Sequence, residues 1–391
     1  MAFKERIIVV CGLSIRKKWL RYLGYYTLPN LADTYELWDL SAFCDKHDNA
    51  VSFDDEIEER EHIHFMPDAE SFLCRLRKLG AEPRPTYIFP LSTRPPEFLD
   101  IWRASSGTNL YLCNKVHKDH PPNPFRPVSL WGQGRRVKQK MKWIINNARL
   151  AIRHGRPYCN FYATPRFVAK WGAWDGFAPR EYIHTLNYDK VLAMDCRKPT
   201  TEPYAVYIDQ NLPVDHQVQV GGEEMMSEEV FWNRMRALFD QLKTEADLED
   251  VVVCAHPNRS EESIEQISSF SRVVQFETEQ WIRDCALVVA HASTALDFAV
   301  IFKKPTCFVS QPEMKRNEQF AKMTQTYASK LGRQVNVLSD TSTGQLDWGR
   351  DDEAYRQFRK NFIKQRGTPD VNSWEYIVRV LRKTSPPLVA A

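Results

Sequence analysis

Three short polar segments each follow an apolar run: Asp209-Gln210-Asn211 after Tyr204–Ile208, His256-Pro257-Asn258-Arg259 after Asp250–Ala255, and His291-Ala292-Ser293-Thr294 after Leu287–Ala290. A carboxylate at the end of a strand, such as Asp209, can serve as general base or nucleophile, or can simply cap its own loop through local backbone bonds. The imidazole of His256 can donate to a phosphate oxygen while Pro257 ends the strand and fixes the turn. A lone histidine at such a place is more often a structural hydrogen-bonding residue, but the adjoining Pro257 and Arg259 raise the functional reading, with Asn258 between them. Ser293 and Thr294, just beyond His291, put two hydroxyls where a helix is expected to start. They can cap that helix, bind an anion beside its unpaired N–H groups, or do both.

The chain has no convincing Asp-x-Asp metal motif, no P-loop and no G-x-G-x-x-G, which disfavours kinases and dinucleotide enzymes. Gly221-Gly222 reads as a turn, and the acidic runs Asp54–Glu61 and Arg350–Glu353 as solvated faces. No metal and no cofactor are therefore expected. An enzyme without metal must offset leaving-group charge with protein donors, and His256, Arg259, Ser293 and Thr294 could supply them.

The elements that must position these groups alternate. Arg6–Gly12 reads as a buried first strand, Glu70–Leu79 as a helix, and Thr86–Leu91 and Asn109–Cys113 as strands, with helical stretches at Phe98–Ala104 and Val137–Arg153. Ser14–Leu23 carries four basic residues; a solvated helix face is the favoured reading, with peripheral contact to a membrane surface as the second. No strand is evident between Phe161 and Lys190, and Cys196–Pro203 is the best linker candidate. Beyond it, strands at 204–208, 250–255, 272–276, 287–290 and 306–309 alternate with helices at 228–243, 260–270, 278–284 and 294–302, which implies a doubly wound parallel sheet. A last helix is expected near Ser373–Arg382.

At 391 residues, 43% hydrophobic and 26% charged, the chain can fold as two ordinary domains. A formal charge of +3 gives no global signal for nucleic acid. No apolar run reaches transmembrane length, and the nine cysteines lack a CxxC pair, so a cytoplasmic protein with reduced core thiols is expected.

An Asp loop, then His-Pro, then Ser-Thr, each after a successive strand, resembles the bacterial sialyltransferases and the related Kdo transferases. Ala290-His-Ala-Ser-Thr-Ala295 with Lys304-Pro305 is especially similar to the members that build lipopolysaccharide and capsule. The resemblance covers roughly Pro203–Gln311. It departs at Ile208-Asp-Gln-Asn211, where many sialyltransferases carry two acids and a glycine. The resemblance implies a GT-B-like α/β fold of two Rossmann-like doubly wound domains, residues 1–200 for the acceptor and 201–391 for the donor, with an interdomain cleft and the last helix packed back on the first domain. It also implies Asp209 as catalytic nucleophile or base. His256, Pro257, Asn258, Arg259, His291, Ser293 and Thr294 would hold a CMP-activated keto-deoxy sugar, with a glycan or glycolipid acceptor at the inner face of a bacterial membrane. A UDP-sugar transferase or 2-epimerase of similar fold, and a non-catalytic glycan-binding subunit, stand as alternatives.

Overall fold

The computed structural model describes residues 5–11, 15, 20, 23–44, 62–91, 109–116, 158–164, 179–194, 200–213, 226–339 and 344–384. The expected helices at 14–23, 98–104 and 137–153 and the turn at 221–222 lie wholly or mostly outside these residues. The chain forms two compact units, passing from the first to the second between Leu186 and Asn187 and returning at Gly367.

In the first unit, β1 (Arg6–Cys11), β2 (Thr34–Asp39), β3 (Ile63–Phe65), β4 (Thr86–Leu91), β5 (Leu110–Val116), β6 (Cys159–Tyr162) and β7 (Arg180–Tyr182) form one sheet in the order β3-β2-β1-β4-β5-β6-β7. Every pairing is parallel. β1 shows why such a strand must be central: Ile7, Ile8, Val9 and Val10 are all fully buried, which a strand achieves only when covered on both faces. Its alternation divides the core in two. Ile8 and Val10 pack with Phe72, Leu76 and Leu79 of α1 (Ala69–Gly80), whereas Ile7 and Val9 join Tyr87, Phe89 and residues from the chain's far end. Those residues, Trp374, Ile377, Val378 and Leu381, lie on the last described helix, Ser373–Thr384. Arg382 of this helix clamps the buried Glu5 at 2.6 Å. Gly24, at φ +83°, lets the chain pass this helix, since a Cβ there would stand 2.9 Å from Trp374 Nε1. The strands β6 and β7 and helix α2 (Leu186–Leu192) fall where the sequence showed no strand; at four and three residues the strands are too short to display a period.

The second unit contains β8 (Tyr204–Ile208), α3 (Glu228–Glu245), β9 (Asp250–Ala255), α4 (Glu261–Ser268), β10 (Arg272–Gln275), α5 (Thr278–Asp284), β11 (Leu287–Ala290), α6 (Leu296–Ile301), β12 (Thr306–Ser310), α7 (Glu318–Lys330) and β13 (Val335–Val337), followed by the short β14 (Trp348–Gly349) and α8 (Asp352–Phe358). Its sheet runs β10-β9-β8-β11-β12-β13, parallel throughout, with β14 added antiparallel to β12. Ser227, Ser260, Asn317 and Asp351 start α3, α4, α7 and α8 by accepting a backbone N–H of the first turn. Both sheets thus have the strand order of a Rossmann-like doubly wound domain, and the last helix, α9 (Ser373–Thr384), belongs to the first unit. This is the GT-B-like α/β class that the sequence implied.

Candidate functional site

In the second sheet the chain moves outward from β8 through β9 to β10, then returns to the other side of β8 as β11. A ligand site is expected at the carboxyl ends of the strands flanking such a reversal. β9, β8 and β11 are adjacent and parallel, so the three polar segments after them emerge along one edge.

Asp209 does not present a free carboxylate. Its Oδ1 accepts from Arg259 Nη2 at 2.6 Å and from the Asn211 backbone N–H at 2.9 Å. Its Oδ2 accepts from Arg259 Nε at 2.9 Å and from the His256 backbone N–H at 3.0 Å. Both side chains of this ion pair are 0% exposed. Arg259 is equally committed: Nη2 also donates to the Leu212 carbonyl at 3.0 Å, and Nη1 to Glu228 at 2.9 Å and Ser263 at 3.3 Å. All five guanidinium donors are thereby engaged. Burial by itself would lower the Arg259 pKa, but the charge and hydrogen bonds of Asp209 reverse that and hold it above the usual arginine value. In this arrangement neither the Asp209 carboxylate nor the Arg259 guanidinium faces solvent. Asp209 and Arg259 neutralise each other beneath the surface, tying the β8 loop, the β9 loop and the start of α3 into one block.

His256 sits above this block, half-buried, with Pro257 and Asn258 exposed beside it. Its Nδ1 accepts from the Asn258 backbone N–H at 3.2 Å. In the neutral ring the proton then belongs on Nε2, a donor suited to an oxyanion. Gln275 at the end of β10 donates to the His256 carbonyl at 2.9 Å, which braces the turn from the other side.

His291 points inward. It is fully buried, with its ring near Tyr207, Phe231 and Phe320 at 6.0, 6.3 and 6.1 Å. Neither ring nitrogen makes a well-aligned hydrogen bond, although the Val309 backbone lies within polar reach, and the buried Tyr207 hydroxyl and Trp232 Nε1 nearby have no partner. Burial lowers the imidazole pKa to about 4, against smaller opposing contributions from the Val309 backbone and the Asp209 charge. The ring, expected among the donor-binding residues, is thus enclosed by aromatics and not open to solvent. Ser293, next but one, is 5% exposed, and Thr294 is half-buried. Helix α6 begins at Leu296 with Ala295 at its N-cap and no side-chain cap. Ser293 Oγ instead accepts the Ala295 N–H at 3.2 Å, so the pair forms a turn ahead of the helix and does not cap it.

Three features at this edge were not singled out in the sequence. Phe276, directly after β10, is 64% exposed and has φ +67°, a backbone state that L-residues avoid. Asn187 of α2 donates to the Thr294 carbonyl at 2.9 Å. Arg234 of α3 makes a two-pronged bond to Glu313 and reaches Gln311, bracing the loop after β12. Phe276 was read as the last residue of the strand at 272–276, which the structure ends at Gln275; the other two contacts join residues 77 or more positions apart. Among the described residues no cluster of histidine, cysteine or acids could hold a metal ion, and no helix is long and apolar enough to cross a membrane.

No family model matches the sequence, and no curated protein matches it. Among solved structures, the chain is similar to MurG of Acinetobacter baumannii, at 9% identity over 97% of this chain and 100% of that one, with a TM-score of 0.45. It is also similar to the UDP-GlcNAc 2-epimerase of Methanocaldococcus jannaschii, solved with UDP-GlcNAc and UDP, at 10% identity, 97% and 99% coverage and a TM-score of 0.42. The glycosyltransferase SnogD of Streptomyces nogalater gives 12% identity, 97% and 99% coverage and a TM-score of 0.40. The fold assignment rests on the strand order and not on these likenesses.

Proposed function

We propose that this chain is a glycosyltransferase that takes a nucleoside-diphosphate sugar at the carboxyl edge of its second sheet and passes the sugar to a glycan or glycolipid acceptor. The observation that carries this reading is the reversal of strand order between β8 and β11, with His256, Ser293, Thr294 and Phe276 all on loops at that edge. From the end of β11 to the end of β10 is three strand spacings, about 14 Å, an extent suited to a nucleotide laid across the strand ends. The exposed ring of Phe276 would support the base at one end. The Ser293 hydroxyl, whose lone pair accepts Ala295 N–H, keeps its own proton for a phosphate oxygen at the other. His256 Nε2–H would serve the middle. In the resemblance, His256-Pro257 and Ser293-Thr294 hold a CMP-linked donor, which stands beside this reading as its rival.

The test is titration calorimetry with UDP, dTDP and CMP, each with and without EDTA, followed by turnover with the matching sugar nucleotides. UDP or dTDP should bind best and survive EDTA, and Phe276→Ala should weaken that binding about 5- to 100-fold, the worth of one base–aromatic stack. Tighter binding of CMP would restore the keto-deoxy sugar donor. Conversion of UDP-GlcNAc to its 2-epimer without any acceptor would make the protein an epimerase. Binding of none of the three would end the reading.

A further inference from the structure

The turn between β11 and α6 lacks a helix cap, so something else must hold it. The peptide joining Thr294 to Ala295 is a planar unit whose C=O and N–H point in opposite directions. On the N–H side, Ala295 donates to Ser293 Oγ at 3.2 Å. On the C=O side, Thr294 accepts from the Asp297 backbone N–H at 3.1 Å and from Asn187 Nδ2 at 2.9 Å. The same Asn187 amide also reaches Asp297 Oδ2 at 3.4 Å. Asn187 and Ser293 therefore grip the two ends of one rigid plate. Asn187 stands on the first turn of α2, and it is the residue at which the chain enters the second unit.

We infer that Asn187 is a positioning residue: by fixing the Thr294–Ala295 peptide it sets the direction in which the Ser293 hydroxyl is offered to a phosphate oxygen. The inference rests on the proposed donor site for its ligand, but its structural half does not need one. The side-chain amide is the only neutral group of its size that can donate from this position both to a carbonyl and to a carboxylate. An aspartate there would instead place a negative oxygen against two acceptors.

Asn187→Ala and Asn187→Asp should both keep the circular dichroism spectrum and shift Tm little. In the ligand-free protein, hydrogen exchange at Ala295, Leu296 and Asp297 should accelerate about 3- to 10-fold in Asn187→Ala, the loss of one net hydrogen bond, and more in Asn187→Asp. The Kd for UDP should rise by a similar factor in each. Adding Asp297→Asn to Asn187→Asp rebuilds one donor–acceptor pair and should recover part of both effects. Unchanged exchange in Asn187→Asp overturns the inference outright. Faster exchange with an unchanged Kd for UDP overturns the link from turn to ligand. Wild-type protein that binds neither UDP, dTDP nor CMP sinks the functional reading instead, and the exchange arm still decides whether Asn187 holds the turn.

Discussion

Replacing Asp209 with asparagine separates two roles that predict opposite results. If the carboxylate takes part in the reaction, Asp209→Asn keeps its shape, keeps its stability and loses turnover. The structure predicts otherwise. Both side chains of the Asp209–Arg259 pair are 0% exposed, and each carboxylate oxygen accepts from Arg259 and from a backbone N–H. An amide in that place turns an –NH2 towards two existing donors and leaves the guanidinium charge buried without its counter-charge. Breaking a buried pair from one side costs about 3–5 kcal/mol. For a unit of this size each kcal/mol moves the midpoint by about 2–4 °C, so Tm should fall by roughly 10 °C. Arg259→Met should cost a similar amount. Asp209→Leu combined with Arg259→Met removes both charges together, and should recover much of the loss, because no unpaired ion remains in the core. Glu228 then loses its cationic partner but keeps the Ser263 hydroxyl at 3.2 Å, and with its side chain 29% exposed water can replace the rest. Thermal and urea unfolding of the wild type, the single variants and the double variant measure the coupling directly. An Asp209→Asn protein that melts within about 1 °C of wild type yet has lost turnover would refute the structural role and return the carboxylate to the chemistry.

Two further outcomes are expected. Because burial lowers the His291 pKa from its ordinary 6.5 to about 4, the unfolded chain takes up a proton there before the folded one does. Stability present above pH 6.5 is thus lost as pH falls towards 4, by up to about 3 kcal/mol. His291→Phe should flatten this slope in urea unfolding at stepped pH, and an unaltered slope would show that the imidazole is not the group responsible. Ending the chain at Arg366 removes α9 and with it the Trp374, Ile377, Val378 and Leu381 cover over β1 and β4. Calorimetry should then show the first unit's transition lost and the second's retained; survival of both would mean that α9 is dispensable to the first core.

The second half of the chain was legible because each strand is an apolar run closed by a polar group, and parallel strands buried on both faces look like that. β8, β9, α5 and β11 lie where the sequence put them. In the first half, β6 and β7 are held by their neighbours and not by any pattern of their own. The gathering of the three polar segments at one sheet edge was legible, and the bonds their side chains make were not. Asp209 and Arg259 are 50 positions apart, and their contact exists only because β8 and β9 are adjacent and in register from Tyr204↔Asp250 onward. The adjacency that gathers polar loops at one edge also lets opposite charges on them find each other. His291 looked like a ligand for a different reason. Its polarity is visible in the sequence, whereas the three aromatic rings that enclose it come from β8, α3 and α7.

The internal pairing constrains how this edge could bind a phosphate at all. With every donor of Arg259 engaged by Asp209, Leu212, Glu228 and Ser263, that guanidinium has no free fork to offer. In the proposed reading, the groups from these loops that meet the ligand are neutral: the Ser293 hydroxyl and the His256 Nε2–H. The phosphate oxygen they meet is itself ionised, so each bond contributes about 1.5–3 kcal/mol. Without a guanidinium fork beside them, further affinity must come from contact with the base, worth about 1–3 kcal/mol for one stacked ring. Phe276 is the exposed aromatic at that end of the sheet, and its φ of +67° goes against local preference. Such a conformation costs of order 1–3 kcal/mol, so a residue that keeps its ring exposed there is where binding energy, and not folding energy, should be sought.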